Sequence, residues 1–467
     1  MFMGDRLKVL PGLCLGKMYI SLSKFTHFGG STLPGRLALG LSPRVLSMLA
    51  SQLKEGCILI TGTNGKTTTA HLLAGILSRA GKKIIHNGSG ANLISGVTTA
   101  FVAESSHLGK INADLGVIEV DEASMPAVAS RLNVKAALVT NLFPDQLDRF
   151  GELEHTLELI SRGLDGVKKE GFLLLNADDP LIASIKKETR TIYYGLENFK
   201  KSIKVKEQAG SKICYHCGKK YDYLHVHFAH LGLYQCPGCG ARRPLPHYSI
   251  VSCHKKNEKN TVANIKTPTG HFPVSFEIPG FYNLYNVLAA ISCALLLGVR
   301  EDIIKASLRE FTADFGRRRT ISIGGKKVEL FLIKNPVGAN EALRALFEGG
   351  TWGGAAHGMP LLLAVNDKYA DGIDVSWLWD VDFEALSCPD KKIPKIFCSG
   401  TRGEEISLRL KYAGIDIKKI KHEEDLVKAF QDSLSCTPAG GKLQVLLTYT
   451  ALQEMRKIVG KLVSAGD

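Results

Sequence analysis

The run Ile58-Leu59-Ile60-Thr61-Gly62-Thr63-Asn64-Gly65-Lys66-Thr67-Thr68-Thr69 puts an apolar strand, two glycines, a lysine and a row of hydroxyls in immediate succession. That order suits phosphate chemistry. A strand that stops at Gly62 and turns through Gly65 into a helix leaves several backbone N–H groups facing one small space, and the helix N-terminus adds its positive end. Lys66 would neutralise β- and γ-phosphate oxygens, and the Thr67 hydroxyl is placed to hold Mg²⁺. Gly62, Thr63, Asn64, Gly65, Lys66, Thr67 and Thr68 are therefore the expected ATP cradle. The longer P-loop form has a glycine at the position of Ile60, so the match is to the shorter form.

Acidic and amide side chains close other apolar runs. Glu119-Val120-Asp121-Glu122 ends the run at 115–120, Asn141 to Asp148 follows 136–140, and Asn176-Ala177-Asp178-Asp179 follows 172–175. Elsewhere, Cys214-Tyr215-His216-Cys217 and Cys236-Pro237-Gly238-Cys239 are two C-x-x-C pairs separated by 18 residues, 218–235. This is zinc-ribbon spacing. Each pair curls one tight turn so that two thiolates face a common point, and two turns complete a tetrahedral S₄ shell. Gly218 and Gly240 follow the pairs, where such turns need a permissive backbone. Four ligands leave no open position, so the expected Zn²⁺ is structural, with His216 pointing away from it. Arg242, Arg243 and nearby aromatic residues leave nucleic-acid contact open as a second use of the ribbon.

These residues need elements to position them. Strands are expected at 57–60, 115–120, 136–140 and 172–175, alternating with helices, which makes a parallel sheet with helices on its faces. Ligands in such sheets sit at the carboxyl ends of the strands, where the polar clusters fall. The stretch 208–249 breaks the rhythm and reads as an insert. Helical character resumes at Asn283-Leu284-Tyr285-Asn286. Beyond Gly316-Arg317-Arg318-Arg319 the composition shifts to strands at 360–365, 395–399 and 444–447, with helices at 404–413 and 423–434. The expected domains are an N-terminal helical segment (1–52), a central ATP-binding α/β domain (53–311, insert 208–249) and a smaller Rossmann-like α/β domain (312–467), the segment 348–358 being a loop.

The bulk numbers bound the class. A chain of 467 residues supports two or three domains. Its net charge of +14 comes from scattered lysines and arginines, which fits either an anionic partner or a solvated surface. No run reaches the roughly 20 apolar residues that span a bilayer, and residues 1–25 lack the pattern of a secretory signal. A short amphipathic N-terminal helix is possible. Eleven cysteines in a chain this long do not make a disulfide scaffold, and paired cysteines beside a nucleotide site fit a reducing cytoplasm.

Together the motifs resemble the Mur ligase superfamily, which joins amines to carboxylates through an acyl phosphate. Residues 62–68 have that family's P-loop form. Glu119 stands at its magnesium-binding glutamate, Asn141-Leu142-Phe143-Pro144-Asp145-Gln146-Leu147-Asp148 resembles its Asn-Leu-x-x-Asp-His-Leu-Asp block, and Asn176 to Asp179 its Asn-x-Asp-Asp motif. By the same resemblance Asn283, Asn286 and Arg317 contact the nucleotide. Gln146 replaces a metal-binding His, and Ser161-Arg162 stands where ordinary ligases carry a carbamylated lysine. Leu332-Ile333-Lys334 replaces the usual Asp-Tyr-Ala-His before Asn335-Pro336.

The zinc pairs together with Asn366-Asp367-Lys368-Tyr369-Ala370-Asp371-Gly372-Ile373-Asp374 resemble one branch, the MurT-type synthetase subunits of lipid II isoglutaminyl synthase. The resemblance implies ATP-dependent amidation of the lipid II D-glutamate α-carboxylate to D-isoglutamine, with Lys66 and Glu119 serving the phosphoryl transfer. It also implies a GatD-like class I glutamine amidotransferase as partner in a heterodimer, no nucleic acid, and work at the inner face of the cytoplasmic membrane. Asp374 would reach across that interface to orient a Cys–His pair, whereas by its own sequence context it would cap a helix at 375–379. Two other readings stay open: a ligase that adds an amino acid to a cell-wall or folylpolyglutamate-like carboxylate, and a nucleotide-dependent nucleic-acid binder.

Overall fold

Strands buried on both faces read as continuous apolar runs rather than alternating ones, and the first half of the chain is built on such strands. The computed structural model describes residues 3–26, 32–88, 90–143, 153–197, 213–255, 260–278, 280–311, 318–348, 358–387 and 393–464. In chain order it has β1 (Cys57–Thr61), β2 (Ile84–His86), β3 (Leu115–Glu119), β4 (Val134–Val139), β5 (Val167–Asn176) and β6 (Thr191–Leu196). An inserted hairpin, β7 (Asp222–Phe228) and β8 (Leu231–Gln235), precedes β9 (Tyr248–Lys255), β10 (Thr261–Thr267) and β11 (Gly270–Phe276). Apart from the hairpin these form a nine-stranded sheet ordered β11-β10-β9-β6-β5-β4-β1-β3-β2. Every pair from β2 across to β9 is parallel, and β9, β10 and β11 are antiparallel.

Strand order places the chemistry. From β1 the chain moves to β2 and β3 on one side, then to β4 and onward on the other, so the order reverses beside β1. Open α/β sheets bind ligands in the crevice at such a reversal. Register pairs Ile60 with Glu119 and Thr61 with Val139, which levels the carboxyl ends of β3 and β4 with the start of the loop after β1. The sequence reading locates β1, β3, β4 and β5 and passes over β2, β6 and β9 to β11. β2 has three residues, and β11 alternates buried with exposed positions on the sheet edge, so neither presents a continuous apolar run.

The helices Met3–Thr26, Leu33–Leu41 and Val45–Ala50 do not stand apart from this sheet. Val9, Leu13, Ala38, Leu46 and Leu49 share one core with Leu59, Ile118 and Val139. The chain divides into two compact units, the first holding Met1–Phe143 and Glu152–Ala313 and the second holding Asp314–Asp467. The second unit has β12 (Arg318–Ile323), β13 (Lys326–Leu332), β14 (Leu361–Ala364), β15 (Ile396–Ser399), β16 (Ile420–His422) and β17 (Lys442–Leu447). Their order is β12-β13-β17-β14-β15-β16, all parallel except the β12–β13 hairpin. Alternate residues of β14 enter opposite cores, Leu361 and Leu363 with Phe383 and Ile406, Leu362 and Ala364 with Phe430 and Met455. Both faces are covered by helices, as expected for a Rossmann-like sheet.

A buried carboxylate ties the insert to the first sheet. Asp178 Oδ1 accepts from Arg243 Nε at 2.6 Å, and its Oδ2 accepts from the Leu196 N–H at 2.9 Å and the Tyr285 hydroxyl at 2.7 Å. Arg243, weighed in sequence as a nucleic-acid contact, is thus spent on an internal ion pair, its side chain only 9% exposed. Asp178→Ala leaves the Arg243 charge buried and uncompensated, and is expected to destabilise the first unit by about 3–5 kcal/mol. Urea unfolding followed by far-UV circular dichroism measures this, and a loss below about 1 kcal/mol would contradict the assignment.

Candidate functional site

The loop after β1 is shaped by two glycines and one asparagine. Gly62 has φ +118° and Gly65 φ +88°, both in the region that favours glycine. A Cβ on Gly65 would lie 2.0 Å from Asn286 Oδ1, so the helix Asn283–Leu296 abuts the loop. Asn141, at the end of β4, grips Asn64 twice: its Oδ1 accepts the Asn64 N–H and its Nδ2 donates to the Asn64 C=O, each at 2.9 Å. Thr63 N–H donates to Asn141 C=O at 2.9 Å, and the Thr140 hydroxyl donates to Asn64 C=O at 2.8 Å. The helix Lys66–Arg79 then starts directly after Gly65, its first bond running from Thr69 N–H to Gly65 C=O. The N–H groups of the turn before it have no helical acceptor, which is the anion-binding end of a helix.

Lys66 is buried at this point. Its Nζ donates to Gly62 C=O at 2.6 Å and to Glu122 Oε1 at 2.8 Å. Burial opposes its charge, but Glu122, with Asp121 and Glu119 behind it, more than offsets that and raises its pKa. Lys66 is therefore an ammonium, held by Glu122. Glu119 is 2% exposed. Its Oε1 accepts from Asn92 Nδ2 at 3.0 Å, while Oε2 is buried and makes no hydrogen bond. A bare carboxylate oxygen beside a hydroxyl-bearing helix start fits a divalent cation: Glu119 and Thr67 would hold Mg²⁺, which screens the phosphate charge when bound. Asn87 fixes the backbone of Glu119 through two bonds, Nδ2 to its C=O at 2.8 Å and Oδ1 from its N–H at 2.9 Å.

The Asn176–Asp179 cluster turns out to be scaffolding for this loop. Asn176 Nδ2 donates to Thr140 C=O at 2.8 Å. Asp179 Oδ2 accepts the Leu142 N–H at 2.7 Å, and its Oδ1 caps the helix Pro180–Ala183.

The four cysteines form a cluster whose Sγ atoms lie within 4.8 Å of one another. Cys214–Cys239 and Cys217–Cys236 are 3.5 and 3.4 Å apart, close to the ~3.8 Å sulfur spacing that tetrahedral Zn–S bonds of about 2.3 Å require. Gly218 and Gly240 do take positive φ, +71° and +74°, and each returns a hydrogen bond to the first cysteine of its pair. Burial opposes ionisation of Cys214, yet the Tyr221 hydroxyl and two backbone N–H groups bring it down to about 6. The Ala241 N–H favours a thiolate at Cys239, but burial and the three other sulfurs hold it up at about 12. Four thiolates this close need a cation, so the donor set fits Zn²⁺. His216 is exposed and is not one of the clustered ligands.

In the second unit, Asp374 is half-exposed. Its carboxylate accepts the Ser376 N–H at 2.8 Å and the Ser376 hydroxyl at 2.9 Å, at the head of the turn Ser376–Asp380. The segment leading to it is pinned at the strand ends: Asp371 Oδ1 accepts the Thr450 N–H at 2.7 Å, and Asn366 Nδ2 donates to the Thr450 hydroxyl at 2.9 Å.

The structure thus brings together Gly62 to Thr68, Glu119 and Asn286 with its partner Asn283, which accepts from Asn286 Nδ2 at 2.8 Å. Arg317, Gln146 and Asp148, and most of the loop 348–358, lie outside the described residues. Sequence reading gave no role to Asn87 and Asn92, and named Glu122 only within the acidic cluster that closes β3. The first two interleave with Gly88, Gly90 and Ala91 just after β2, a pattern of amide side chains and small residues that marks a functional loop once the strand is recognised. Among the described residues, no helix is long and apolar enough to cross a membrane. Purified protein is expected to carry one zinc per chain by elemental analysis, and Cys236→Ser to lose it and melt several degrees lower. Unchanged metal content in that variant would contradict the S₄ shell.

Family models match both units: a Mur ligase middle domain over residues 60–236 and a MurT ligase C-terminal domain over 332–452. The chain is 35% identical over 460 residues to the lipid II isoglutaminyl synthase (glutamine-hydrolyzing) subunit MurT of Streptococcus pneumoniae, covering 97% of each chain. It is 33% identical to the Staphylococcus aureus (strain N315) subunit of the same name, covering 97% of this chain and 98% of that one. Its fold matches a pseudomurein peptide ligase type C from Methanothermus fervidus (TM-score 0.64, 23% identity, 89% of this chain and 80% of that one). It also matches MurF ligase from Thermotoga maritima in complex with ADP (TM-score 0.61, 15% identity, 91% and 84%). With the phosphate loop, the cysteine cluster and the C-terminal sheet all inside an end-to-end match, this chain belongs to the MurT family of Mur ligases.

Proposed function

We propose that this chain is the ATP-dependent synthetase that amidates the D-glutamate α-carboxylate of the lipid II stem peptide, using ammonia from a partner glutaminase. The observation that carries this is the end-to-end similarity to two subunits named for that reaction, through the same C-terminal domain. In the first step a carboxylate oxygen attacks the γ-phosphorus of ATP, and the β–γ bridge oxygen leaves with ADP. Lys66 moves from Glu122 to the transferring phosphoryl group, and the N–H groups ahead of Thr69 receive its oxygens. In the second step ammonia attacks the carbonyl carbon of the acyl phosphate, and inorganic phosphate leaves with the former carboxylate oxygen. The nitrogen sheds a proton and a carboxamide remains.

Ammonia carries no carboxylate to be recognised. The replacement of the amino-acid motif by Leu332-Ile333-Lys334 agrees with that, and speaks against an amino-acid ligase. Nucleic-acid binding has little to recommend it, because the basic residues are dispersed and Arg243 is engaged internally.

For the glutaminase we propose a class I amidotransferase with a Cys–His pair. Asp374 is the residue offered to it: an acid orients the imidazole of such a pair, and this one is held half-exposed by Ser376, next to Ile373, which is 62% exposed. The bonds that Asp374 makes to Ser376 keep its carboxylate at the surface, which is compatible with that use.

Lys66→Ala is expected to cut turnover at least about 10²-fold, read as ADP release in the presence of lipid II and ammonium. ADP release that does not depend on lipid II would overturn the assigned substrate. Asp374→Asn, assayed with the copurified partner, is expected to abolish glutamine-dependent amidation and leave ammonium-dependent amidation intact. Failure of ammonium to rescue would contradict the trans-orienting role.

A further inference from the structure

A zinc staple needs only a small core, and the ribbon has one: Tyr221 and Tyr234 packed around Cys214 and Cys236, joined by Ala183 from the helix Pro180–Ala183. Its hairpin goes further than that. The β7–β8 turn passes through Ala229 at φ +50°, the only non-glycine residue with positive φ among those described. Such a backbone persists only where its surroundings over-determine it. The next residue, His230, is 3% exposed. Its ring makes a T-shaped contact with Phe143, centroids 4.7 Å apart, and Phe228 makes another at 6.0 Å, so Phe143 packs against two rings of the hairpin.

His230 also lies near the acid behind Phe143, without a hydrogen bond to it. Its Nε2 lies 3.4 Å from Asp179 Oδ2, the oxygen that accepts the Leu142 N–H. The hairpin tip therefore packs on the Phe143 side chain, while Asp179 holds the neighbouring Leu142 N–H. The Phe143 backbone in turn holds the phosphate loop, since Phe143 N–H donates to the Thr63 hydroxyl at 3.0 Å and this hydroxyl faces Phe143 C=O at 3.2 Å. A second route leaves the base of the ribbon. Arg243 binds Asp178, Asp178 accepts from Tyr285, and the neighbouring Asn286 abuts Gly65.

We infer that the zinc ribbon is a positioning device for the phosphate loop, with His230 as its positioning residue acting through Phe143 on Thr63. The four thiolates fix the strand ends, since Cys236 directly follows β8, and the rigid hairpin carries that constraint to the tip. Zinc thereby sets nucleotide affinity as well as folding. The inference rests on the reading of residues 62–68 as the ATP cradle.

The test compares wild type, His230→Ala, His230→Phe, Lys66→Ala and, as a surface control on β7, Leu224→Ser, a position 74% exposed. Three quantities are read on the full chain: zinc content, the Kd for a fluorescent ATP analogue with Mg²⁺, and amide exchange across residues 62–65. His230→Ala is expected to keep its zinc, weaken the nucleotide about tenfold, or about 1.4 kcal/mol, and speed exchange in the loop. His230→Phe, which retains a ring against Phe143, is expected to stay within about twofold of wild type, as is Leu224→Ser. Should His230→Ala not fold, His230→Leu makes the same comparison with the side-chain volume retained. A folded, zinc-replete His230 variant without a ring that binds nucleotide like wild type, while Lys66→Ala loses it, would overturn the ribbon's role alone. Nucleotide binding untouched by Lys66→Ala would overturn the cradle and the ribbon's role together.

Discussion

One amide side chain holds the phosphate loop in shape. Asn141 engages both backbone groups of Asn64, so the loop cannot shift there without losing one of the two bonds or moving Asn141 with it. The constraint reaches outward in two directions. Asn141 can do this only because β4 lies next to β1 with Thr61 level with Val139, which is a property of the whole parallel sheet. Helix Lys66–Arg79 can begin where it does only because the loop ends at Gly65, against Asn286. A loop already bent to receive phosphate loses little entropy on binding it, which is where preorganised sites gain over flexible ones.

The charges at the strand ends obey the same economy. Lys66 and Glu122 are both buried, and neither would tolerate burial without the other. In the proposed role the pair sets a threshold, because a phosphate would have to compete with the Glu122 carboxylate for Lys66. Glu119 differs, because one of its oxygens is buried and bare. A carboxylate left this way is costly unless a cation completes it. Two acids three residues apart in sequence thus divide the work, one answering the ammonium and the other suited to Mg²⁺.

Much of this was legible in the sequence, and for a physical reason. The loop after β1, Glu119 and the cysteine pairs are local patterns, in which the spacing of a few residues fixes what they can hold. The parallel strands β1, β3, β4 and β5 were equally legible as continuous apolar runs. What escaped depends on contacts distant in sequence. Asn87 and Asn92 matter because β2 pairs with β3, and β2 is too short to be seen. Asp178 read as a motif acid, yet its partners Arg243 and Tyr285 are 65 and 107 positions away. The edge strand β11 and its neighbour β10 alternate buried with more exposed residues behind an irregular insert, which hides their period. Asp374 shows the limit from the other side. Its local pattern announced a helix cap; in the structure it binds Ser376 ahead of a short helix whose N-cap position is Val375, and the catalytic use proposed for it depends on a second chain.

The central claim is that this family member spends ATP to make an acyl phosphate on a lipid II carboxylate, so that ammonia can displace it. Isotope transfer tests it most directly. Lipid II labelled with ¹⁸O in the D-glutamate α-carboxylate is turned over with ATP and ammonium, and the released phosphate is analysed by mass spectrometry. The account predicts one labelled oxygen in the phosphate for every carboxamide formed, with ADP as the other product. Unlabelled phosphate alongside the carboxamide would contradict it.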